Sequence, residues 1–195
     1  MNTTPKLPIA CIIMASGLGN RFGENKLLYK IQNKPILQYI LETTVKLPFI
    51  ERIVVTRHKE VVNLCAKLNV KVFLHEEPYQ SDTVRIALEK LGEHTGYMFC
   101  TGDQPFLKPA SLEKLCTQFL EAPNFIHRTA FENTPGNPVI FPIKFKNELL
   151  TLPQDKGGAY LTKKYPEQVR YIPVQDSLEL YDIDAKEDLE RLFLR

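Results

Sequence analysis

The chain has 195 residues, with 25 lysines and arginines against 23 aspartates and glutamates, so its formal net charge is only +2. This near balance argues against a general nucleic-acid binder, which carries a basic face or stripe. No stretch approaches the ~18 uninterrupted apolar residues of a membrane-spanning helix, so we expect no membrane contact. The length suits one domain with a substantial core, and we expect residues 1–195 to form that single domain.

The first apolar run, residues 7–15, predicts a buried strand rather than a signal peptide, because no small-residue cleavage site follows it. The four cysteines contain no CxxC pair, and we expect reduced, buried thiols in a cytoplasmic protein. They are Cys11, Cys65, Cys100 and Cys116. The four histidines show no metal-ligand spacing, and we expect surface or packing roles for them. They are His58, His75, His94 and His127.

Strand-like and helix-like segments then alternate through four β-α repeats, which predicts a parallel, doubly wound sheet. The other three strands of these repeats either are rich in β-branched residues or form continuous apolar runs. They are residues 51–57, 70–75 and 96–103. The helices show apolar residues at helical spacing. They are residues 35–47, with Pro35 at the first helical position, residues 60–68, a segment from the cap Ser81 or Asp82 to about Gly92, and residues 109–122.

The pattern changes in the last third of the chain. Residues 125–142 predict two extended segments joined by a turn at Pro135 and Gly136, which would add an antiparallel part to the sheet. A short helix, a strand and a closing helix follow, at residues 157–165, 169–174 and 185–194. We therefore predict an α/β fold with one Rossmann-like, doubly wound, mostly parallel (mixed) sheet.

The loop after the first strand, within MASGLGNRFGENKLL (residues 14–28), combines glycines with two cations. Gly17, Gly19 and Gly23 allow close backbone approach and positive φ, and exposed N–H groups in such a loop cradle anions. Arg21 and Lys26 add exposed full charges. These features predict a diphosphate or triphosphate site, and the alternative is an ordinary turn with solvated cations. Neither GxxxxGK[ST] nor GxGxxG is present.

A second signal is CTGDQP (residues 100–105), at the carboxyl end of the fourth predicted strand. Asp103 would face the same crevice as the glycine loop, since ligands of open α/β sheets bind outside the carboxyl ends of the strands. A carboxylate there can hold Mg²⁺ against the phosphates. The alternative is that Asp103 caps the following turn or helix.

Four segments, in this order, resemble the small nucleotidyltransferases of the molybdenum-cofactor type. Residues 14–28 resemble the signature LAAGxSxRxGxxKxL, GDQP (102–105) resembles GDMP, GNPVIFP (136–142) resembles GxPxxF, and DIDAKEDLERL (182–192) resembles D-[IV]-[DN]-T-P-E-D-L. The similarity is greatest to the molybdenum cofactor cytidylyltransferases. The resemblance implies the nucleotide-diphospho-sugar transferase type of fold.

The resemblance also implies roles for individual residues. Arg21, Lys26 and Asp103 would be catalytic. Asp103 and Asp184 would bind Mg²⁺, with Asp182 as a neighbouring candidate for the second ligand; the alternative for both C-terminal aspartates is helix capping. The residues expected to hold the nucleotide and its phosphates are Ala15, Ser16, Gly17, Leu18, Gly19, Arg21, Lys26 and Gly102.

The segment QSDTVRIAL (residues 80–88) resembles the serine-rich helix start of molybdopterin cytidylyltransferases and the SVRxGL segment of methylerythritol-phosphate cytidylyltransferases. In both, small hydroxyls touch the pyrimidine, so Thr83 with Ser81 would contact cytosine. A plain helix N-cap is an equally good interpretation and is compatible with this one.

Three positions depart from the family pattern. Gly19 replaces the commoner serine, and Gln104 replaces methionine in GDMP. In QDKGGAYL (residues 154–161), which resembles GDxGAR, Asp155 is kept but Ala159 stands where arginine is usual. The missing arginine affects the second substrate more than the nucleotide, because this segment borders the acceptor side.

The resemblance implies transfer of CMP from CTP to a phosphorylated acceptor such as molybdopterin, with Mg²⁺, and a molybdoenzyme as a further partner. Another nucleoside triphosphate or another phosphorylated acceptor remains an alternative. A second alternative is a nucleotide-binding accessory or chaperone-like protein of molybdoenzyme maturation without turnover. A third is a reductase, because Tyr160 and Lys164 have the YxxxK spacing of short-chain dehydrogenases. That function would give Asp103 no catalytic or binding role.

Overall fold

The computed structural model of the protein describes residues 5–17, 22 and 25–193. Its strands are β1 (Leu7–Ala15), β2 (Lys30–Ile31), β3 (Lys34–Pro35), β4 (Phe49–Thr56), β5 (Val72–Leu74), β6 (Gly96–Thr101), β7 (Ile126–Phe131), β8 (Thr134–Pro142) and β9 (Val169–Pro173). Its α-helices are α1 (Ile36–Thr44), α2 (Lys59–Lys67), α3 (Gln80–Lys90), α4 (Pro109–Glu121), α5 (Lys146–Leu150), α6 (Ala159–Lys164) and α7 (Lys186–Phe193). Within these ranges no helix is long and apolar enough to cross a membrane.

Seven strands form one sheet in the order β5-β4-β1-β6-β8-β7-β9, while β2 and β3 form a separate small hairpin. The strands β5, β4, β1 and β6 are mutually parallel. β8 is antiparallel to both of its neighbours, β6 and β7, and β9 is again parallel to β7. The predicted mostly parallel, mixed α/β sheet is therefore confirmed.

The central strand β1 explains why its sequence is a continuous apolar run. Alternate residues of a strand point to opposite faces of the sheet. Cys11 and Ile13 pack into a cluster with residues of α1, α2 and α4, whereas Ala10 and Ile12 pack into a second cluster with residues of α3, α5 and α6. Both faces are covered, so Ile9 to Ile13 and Ala15 are buried, while Leu7, Pro8 and Met14 are partly exposed. All four cysteines are free and buried, as expected.

Three local predictions were wrong in detail. Pro35 ends β3 and precedes the first helical residue of α1. The turn between β7 and β8 is made by Glu132 and Asn133, because Phe131 pairs with Thr134. Glu132 adopts a left-handed φ of 51° there.

The pair predicted as that turn, Pro135 and Gly136, lies inside β8 instead. Gly136 is required by packing, since a Cβ would come within 2.7 Å of Leu180 Cδ1. The start of α3 also differs from the prediction: the side chain of Asp82 accepts a hydrogen bond from the Tyr79 backbone N–H, so neither Ser81 nor Asp82 is the first cap residue.

Candidate functional site

A cavity of about 300 Å³, called the first cavity below, opens at the carboxyl ends of β1 and β6. Four residues predicted for the site line it: Ser16 and Gly17 after β1, Asp103 after β6, and Thr83 in α3. The remaining lining residues are Met14, Arg57, Pro78, Tyr79, Gln80, Thr101 and Asp155. Strand order brings these distant segments together, since β1 lies between β4 and β6 and both are parallel to it.

Lys26 lies between two carboxylates beside this cavity. Its Nζ is 2.6 Å from Asp103 Oδ2 and 2.8 Å from Asp184 Oδ1. The expectation of an exposed charge was wrong, because only 9% of the Lys26 side chain is exposed. Burial alone would lower the pKa of Lys26, but Asp103 and then Asp184 outweigh that effect and raise it. Lys26 is therefore a firmly charged ammonium ion.

The C-terminal segment is joined to the turn after β6 by two hydrogen bonds. The Ile183 N–H donates to Asp103 O at 3.0 Å, and the Ile183 side chain is fully buried. Gln104 Nε2 donates to Leu180 O at 3.1 Å. Gln104, which departs from the family pattern, thus helps to place Asp184 opposite Lys26.

Helix capping does not account for Asp184. The backbone N–H groups of Asp184 and Ala185 donate to Asp188 Oδ2 at 2.9 and 2.8 Å, so Asp188 supplies the side-chain cap of α7. The Asp184 side chain contacts Lys26 instead. The capping alternative for Asp184 was therefore wrong.

The carboxylates at this point fit a divalent cation. Asp103 Oδ1 is buried and has no hydrogen-bond partner within the described chain. Although the residue Asp182 is exposed, desolvation of its carboxyl group, and next the charges of Asp103 and Asp184, raise its pKa to about 6. Lys26 thus pairs with two carboxylates while the charge of a third, Asp182, acts on the same point, and Mg²⁺ prefers one or two carboxylates together with phosphate oxygens.

The described residues contain no group of three His, Cys, Asp or Glu side chains that could hold a metal by themselves. A metal at Asp103 and Asp184 would therefore take its other ligands from phosphate and water, which Mg²⁺ commonly does.

His75, for which only a surface or packing role was expected, joins two parts of the site. It is buried, and its Nε2 lies 2.9 Å from Ser16 Oγ and 3.3 Å from Thr83 Oγ1. Burial, and next the nearby Arg57, lowers the pKa of His75. The neutral ring thus connects the loop after β1 to α3. Its position directly after β5, at the carboxyl edge of the sheet, was the signal that could have identified it.

No site role was predicted from the sequence for Arg57 and His58. These residues follow β4, and they contact the loop after β1. Arg57 Nε donates to Ser16 O at 3.1 Å, and its Nη1 donates to Pro78 O at 2.9 Å. His58 Nε2 lies 2.9 Å from Gly17 O. Because β4 is parallel to β1, the residues after these two strands meet at one edge.

Four further residues were predicted to bind the nucleotide, and the structure gives most of them a position outside the first cavity or a packing role. Gly17 does not adopt a left-handed φ, so the expected positive φ was wrong for this glycine; a Cβ there would meet no atom of the described ranges within 4 Å. Gly102 is buried, and a Cβ there would lie 3.1 Å from Leu37 Cδ1, which indicates a packing role. Ala15 and Ser81 are buried and do not line the first cavity.

The predicted phosphate-binding residues Leu18, Gly19 and Arg21, together with Gly23, lie outside the described residues.

The YxxxK pair does not form a reductase site. Lys164 Nζ pairs with Glu148 Oε2 at 2.8 Å, and Tyr160 is exposed on α6. Neither residue lines the first cavity.

Comparison with curated proteins gave similarity over nearly the full chain. A probable molybdenum cofactor guanylyltransferase of Aquifex aeolicus is 28% identical over 190 residues, covering 93% of this chain and 89% of the relative. A protein of the same name from Thermococcus sibiricus is 23% identical over 190 residues, covering 93% of this chain and 95% of the relative.

Solved structures of similar fold cover nearly the whole chain. Rv0371c from Mycobacterium tuberculosis H37Rv superposes with a TM-score of 0.84 at 25% identity, covering 96% of this chain and 98% of that one. Its complex with manganese gives a TM-score of 0.73 at 22% identity, covering 94% and 97%. A CMP:2-keto-3-deoxy-manno-octonic acid synthetase complexed with CTP gives 0.74 at 13% identity, covering 94% and 96%.

A family model matches residues 11–169, which span β1 to the start of β9 and include the loop after β1, the α3 segment and Asp103. The chain therefore belongs to the family of the MobA-like NTP transferase domain and is a nucleotidyltransferase of that family.

Proposed function

We propose that the protein transfers CMP from CTP to a phosphorylated acceptor, molybdopterin, in a Mg²⁺-dependent reaction that releases pyrophosphate. The observation that carries the proposal is that Asp103 lines the first cavity and is joined through Lys26 to Asp184, while Ser16, Gly17 and Thr83 line the same cavity. The acceptor is supported by the two relatives named as molybdenum cofactor guanylyltransferases.

Asp103 and Asp184 would hold the metal ion. The buried Asp103 Oδ1 without a partner supports this role, as does the excess of carboxylate over ammonium charge. The manganese complex of Rv0371c supports a divalent ion at this fold. Once bound, Mg²⁺ would neutralise phosphate charge and help to orient the α-phosphate.

The reaction needs no general base and no covalent enzyme intermediate. An ionised oxygen of the acceptor phosphate forms a bond to the α-phosphorus of CTP, the bond from that phosphorus to the bridging oxygen breaks, and the electron pair leaves with pyrophosphate. Lys26 and Arg57 supply fixed positive charge near the phosphates, and Arg21 is proposed for the same role. Such preorganised charge stabilises the transition state.

We assign the base to the side of the first cavity formed by α3. Thr83 lines the cavity, and its hydroxyl is held by His75, so it is positioned before the nucleotide binds. Ser81 is the neighbouring hydroxyl of the same helical turn. The CTP-bound structural neighbour supports a cytidine nucleotide on this fold. GTP is the second candidate, because both curated relatives are named guanylyltransferases.

The test is transfer of label from α-labelled CTP or GTP to molybdopterin with Mg²⁺, together with pyrophosphate release. We expect Asp103→Asn to reduce turnover by about 100-fold or more, because a neutral amide loses the metal-binding charge. Asp176→Asn is the matched control, since Asp176 caps a 3₁₀ helix in the C-terminal segment and asparagine caps equally well.

Nucleotide choice is tested in the same assay with Thr83→Val, which keeps the shape and removes the hydroxyl. We expect a larger loss of kcat/KM for CTP than for GTP. A wild-type preference for GTP would replace CTP by the second candidate. Nucleotide binding without any transfer would instead support an accessory protein without turnover, and normal turnover by Asp103→Asn would show that the metal site is elsewhere.

A further inference from the structure

The first cavity continues into a second cavity of about 120 Å³. The two share Met14, Gln80 and Thr101 in their walls. From these shared residues the second cavity extends away from the loop after β1 and towards β7, β8 and the start of α6. Its walls are mostly apolar or small, and Arg128 of β7 is the one charged side chain among the described residues that line it.

Arg128 carries a charge that its surroundings do not neutralise. Its Nε donates to Gly136 O at 2.8 Å, and its Nη1 donates to Thr162 Oγ1 at 3.1 Å. These two bonds fix the plane of the guanidinium. Its Nη2 makes no hydrogen bond to any described residue, and no carboxylate in that part of the chain pairs with it. The half-buried group therefore has one face of its donor fork unused.

Arg52 shows what a structural arginine looks like in this protein. It is also partly buried and pairs with no carboxylate of the described residues, but its Nη1 donates to Leu41 O at 2.6 Å in the last turn of α1. A helix C-terminus carries partial negative charge that balances such a cation. Arg52 lines neither cavity, whereas Arg128 lines the second.

The opposite wall of the second cavity supplies space and no charge. A Cβ at Gly158 would come 2.8 Å from Cε2 of the buried Phe141, so that position needs glycine, whereas a Cβ at Gly157, 2.7 Å from Gln80 Oε1, would require only a shift of the Gln80 amide. Ala159 follows them and also lines the cavity. This wall brings the backbone close to α3 and leaves the charged recognition of an anion to Arg128.

We propose that the second cavity is the acceptor subsite and that the Arg128 guanidinium binds the phosphate of the acceptor, a phosphomonoester. This inference rests on the proposed nucleotidyl transfer. In-line displacement needs the incoming oxygen and the departing pyrophosphate on opposite sides of the α-phosphorus. A cavity that adjoins the nucleotide cavity at Thr101, close to Asp103, gives the acceptor that separate approach. A planar donor fork suits two phosphate oxygens.

The test compares Arg128→Gln with Arg128→Lys in the transfer assay. We expect Arg128→Gln to raise KM for molybdopterin about tenfold or more while KM for the nucleotide stays within about twofold, since a charge-assisted hydrogen bond to the acceptor alone is lost. Arg128→Lys should recover part of the loss, because it keeps the charge but not the fork. Arg170→Gln on the neighbouring strand β9 is the control, since it removes an exposed arginine that lines neither cavity; both KM values should stay within about twofold.

Equal increases in both KM values for Arg128→Gln would overturn the proposal, as would an unchanged KM for molybdopterin. Melting curves of all variants separate these results from simple loss of folding. If Arg128→Gln does not fold, Arg128→Lys still gives a test, because a phosphate-binding role requires a raised KM for molybdopterin alone.

Failure of the proposed function is distinguished by a binding measurement that needs no turnover. Inorganic phosphate is titrated into the protein saturated with a non-hydrolysable CTP analogue, or the GTP analogue if that nucleotide binds better. Weaker phosphate binding by Arg128→Gln than by the wild type and Arg170→Gln supports the subsite even if no transfer occurs. No phosphate binding by the wild type, or equal binding by all three proteins, overturns it even if transfer is efficient.

Discussion

Lys26 and Arg57 are both cations beside the first cavity, but their charges are satisfied differently. Lys26 is enclosed by Asp103 and Asp184. Arg57 donates to the backbone carbonyls of Ser16, Glu77 and Pro78, and it has no carboxylate partner among the residues that the structure describes. The Arg57 charge is therefore available to an anionic ligand as it stands, whereas the Lys26 charge would act on the phosphates together with the two carboxylates that it also organises.

Gly17 allows a test of close backbone approach to the nucleotide. A Cβ at this position would meet no atom of the residues that the structure describes, so we expect Gly17→Ala to change the free energy of unfolding by no more than about 0.5 kcal/mol. The same methyl group would enter the first cavity, and we expect KM for the nucleotide to rise several-fold. Steady-state kinetics and a thermal melt measure the two effects.

Gly102→Ala is the matched control for that substitution. Its Cβ would lie 3.1 Å from Leu37 Cδ1 and 3.2 Å from Met14 O, so overpacking should cost about 1–3 kcal/mol of stability. Nucleotide affinity at a temperature where the variant is folded should change little. If Gly17→Ala binds nucleotide as tightly as the wild type, the backbone of this loop does not approach the phosphates.

At the scale of elements, the segment before α7 is anchored to the start of α4. Glu179 is buried, and its Oε2 accepts hydrogen bonds from the Lys108 backbone N–H and the Ser111 hydroxyl. A carboxylate at a helix N-terminus also interacts favourably with the helix dipole. Together with the bond from Gln104 to Leu180 O, this anchor sets the path of the chain towards Asp184.

We expect Glu179→Gln to destabilise the protein by about 1–3 kcal/mol, because hydrogen bonds to a buried charged group are lost or weakened. For a chain of this length that corresponds to a fall in Tm of about 2–12 °C. Ser111→Ala removes one donor and leaves the carboxylate, so its effect should be smaller. Calorimetry of both variants gives the comparison, and equal melting of Glu179→Gln and the wild type would contradict the anchoring role.

At the scale of the whole molecule, stability should fall in mild acid. Burial is the main cause that lowers the pKa of both His75 and His127. The unfolded chain, with ordinary histidine pKa values of about 6.5, therefore binds more protons than the folded chain as the pH falls below that value. The stabilisation is complete above about pH 6.5 and is lost on acidification. Asp182, whose pKa is raised to about 6, acts in the opposite direction.

The slope of Tm against pH, compared between the wild type and a histidine variant, separates the effect of the two histidines from that of Asp182. We expect Tm to fall between about pH 7.5 and pH 5.5 in the wild type, and to fall less steeply in the double variant His75→Gln, His127→Gln, whatever its stability at neutral pH. Differential scanning calorimetry across this range measures both slopes. An identical slope in the two proteins would show that other groups control the acid response.

Much of the architecture follows from local sequence patterns. A run such as residues 7–15 has too many consecutive apolar residues for a half-exposed strand, so the sequence alone predicts its central place in the sheet. Glycines and cations next to the end of that strand, and Asp103 after β6, likewise indicated the crevice, because the carboxyl ends of parallel strands share one edge. Turn positions were harder to predict from the sequence. Pro135 and Gly136 suit a turn, but they lie inside β8, where Gly136 packs against Leu180.

Only the tertiary structure decided which charged groups meet. Lys26 and Asp184 are 158 positions apart, and their contact depends on Ile183 and Gln104 docking the C-terminal segment beside β6. His75 meets Ser16 across 59 positions for the same kind of reason. Helical or strand periodicity reports the burial of a residue but not its partner across the fold, because that partner is set by strand order and side-chain packing between elements distant in sequence. The sequence by itself therefore determined the sheet and the position of Gly17 and Asp103 at its carboxyl edge, whereas the burial of Lys26 and the unneutralised charge of Arg128 arose from the packing of distant segments.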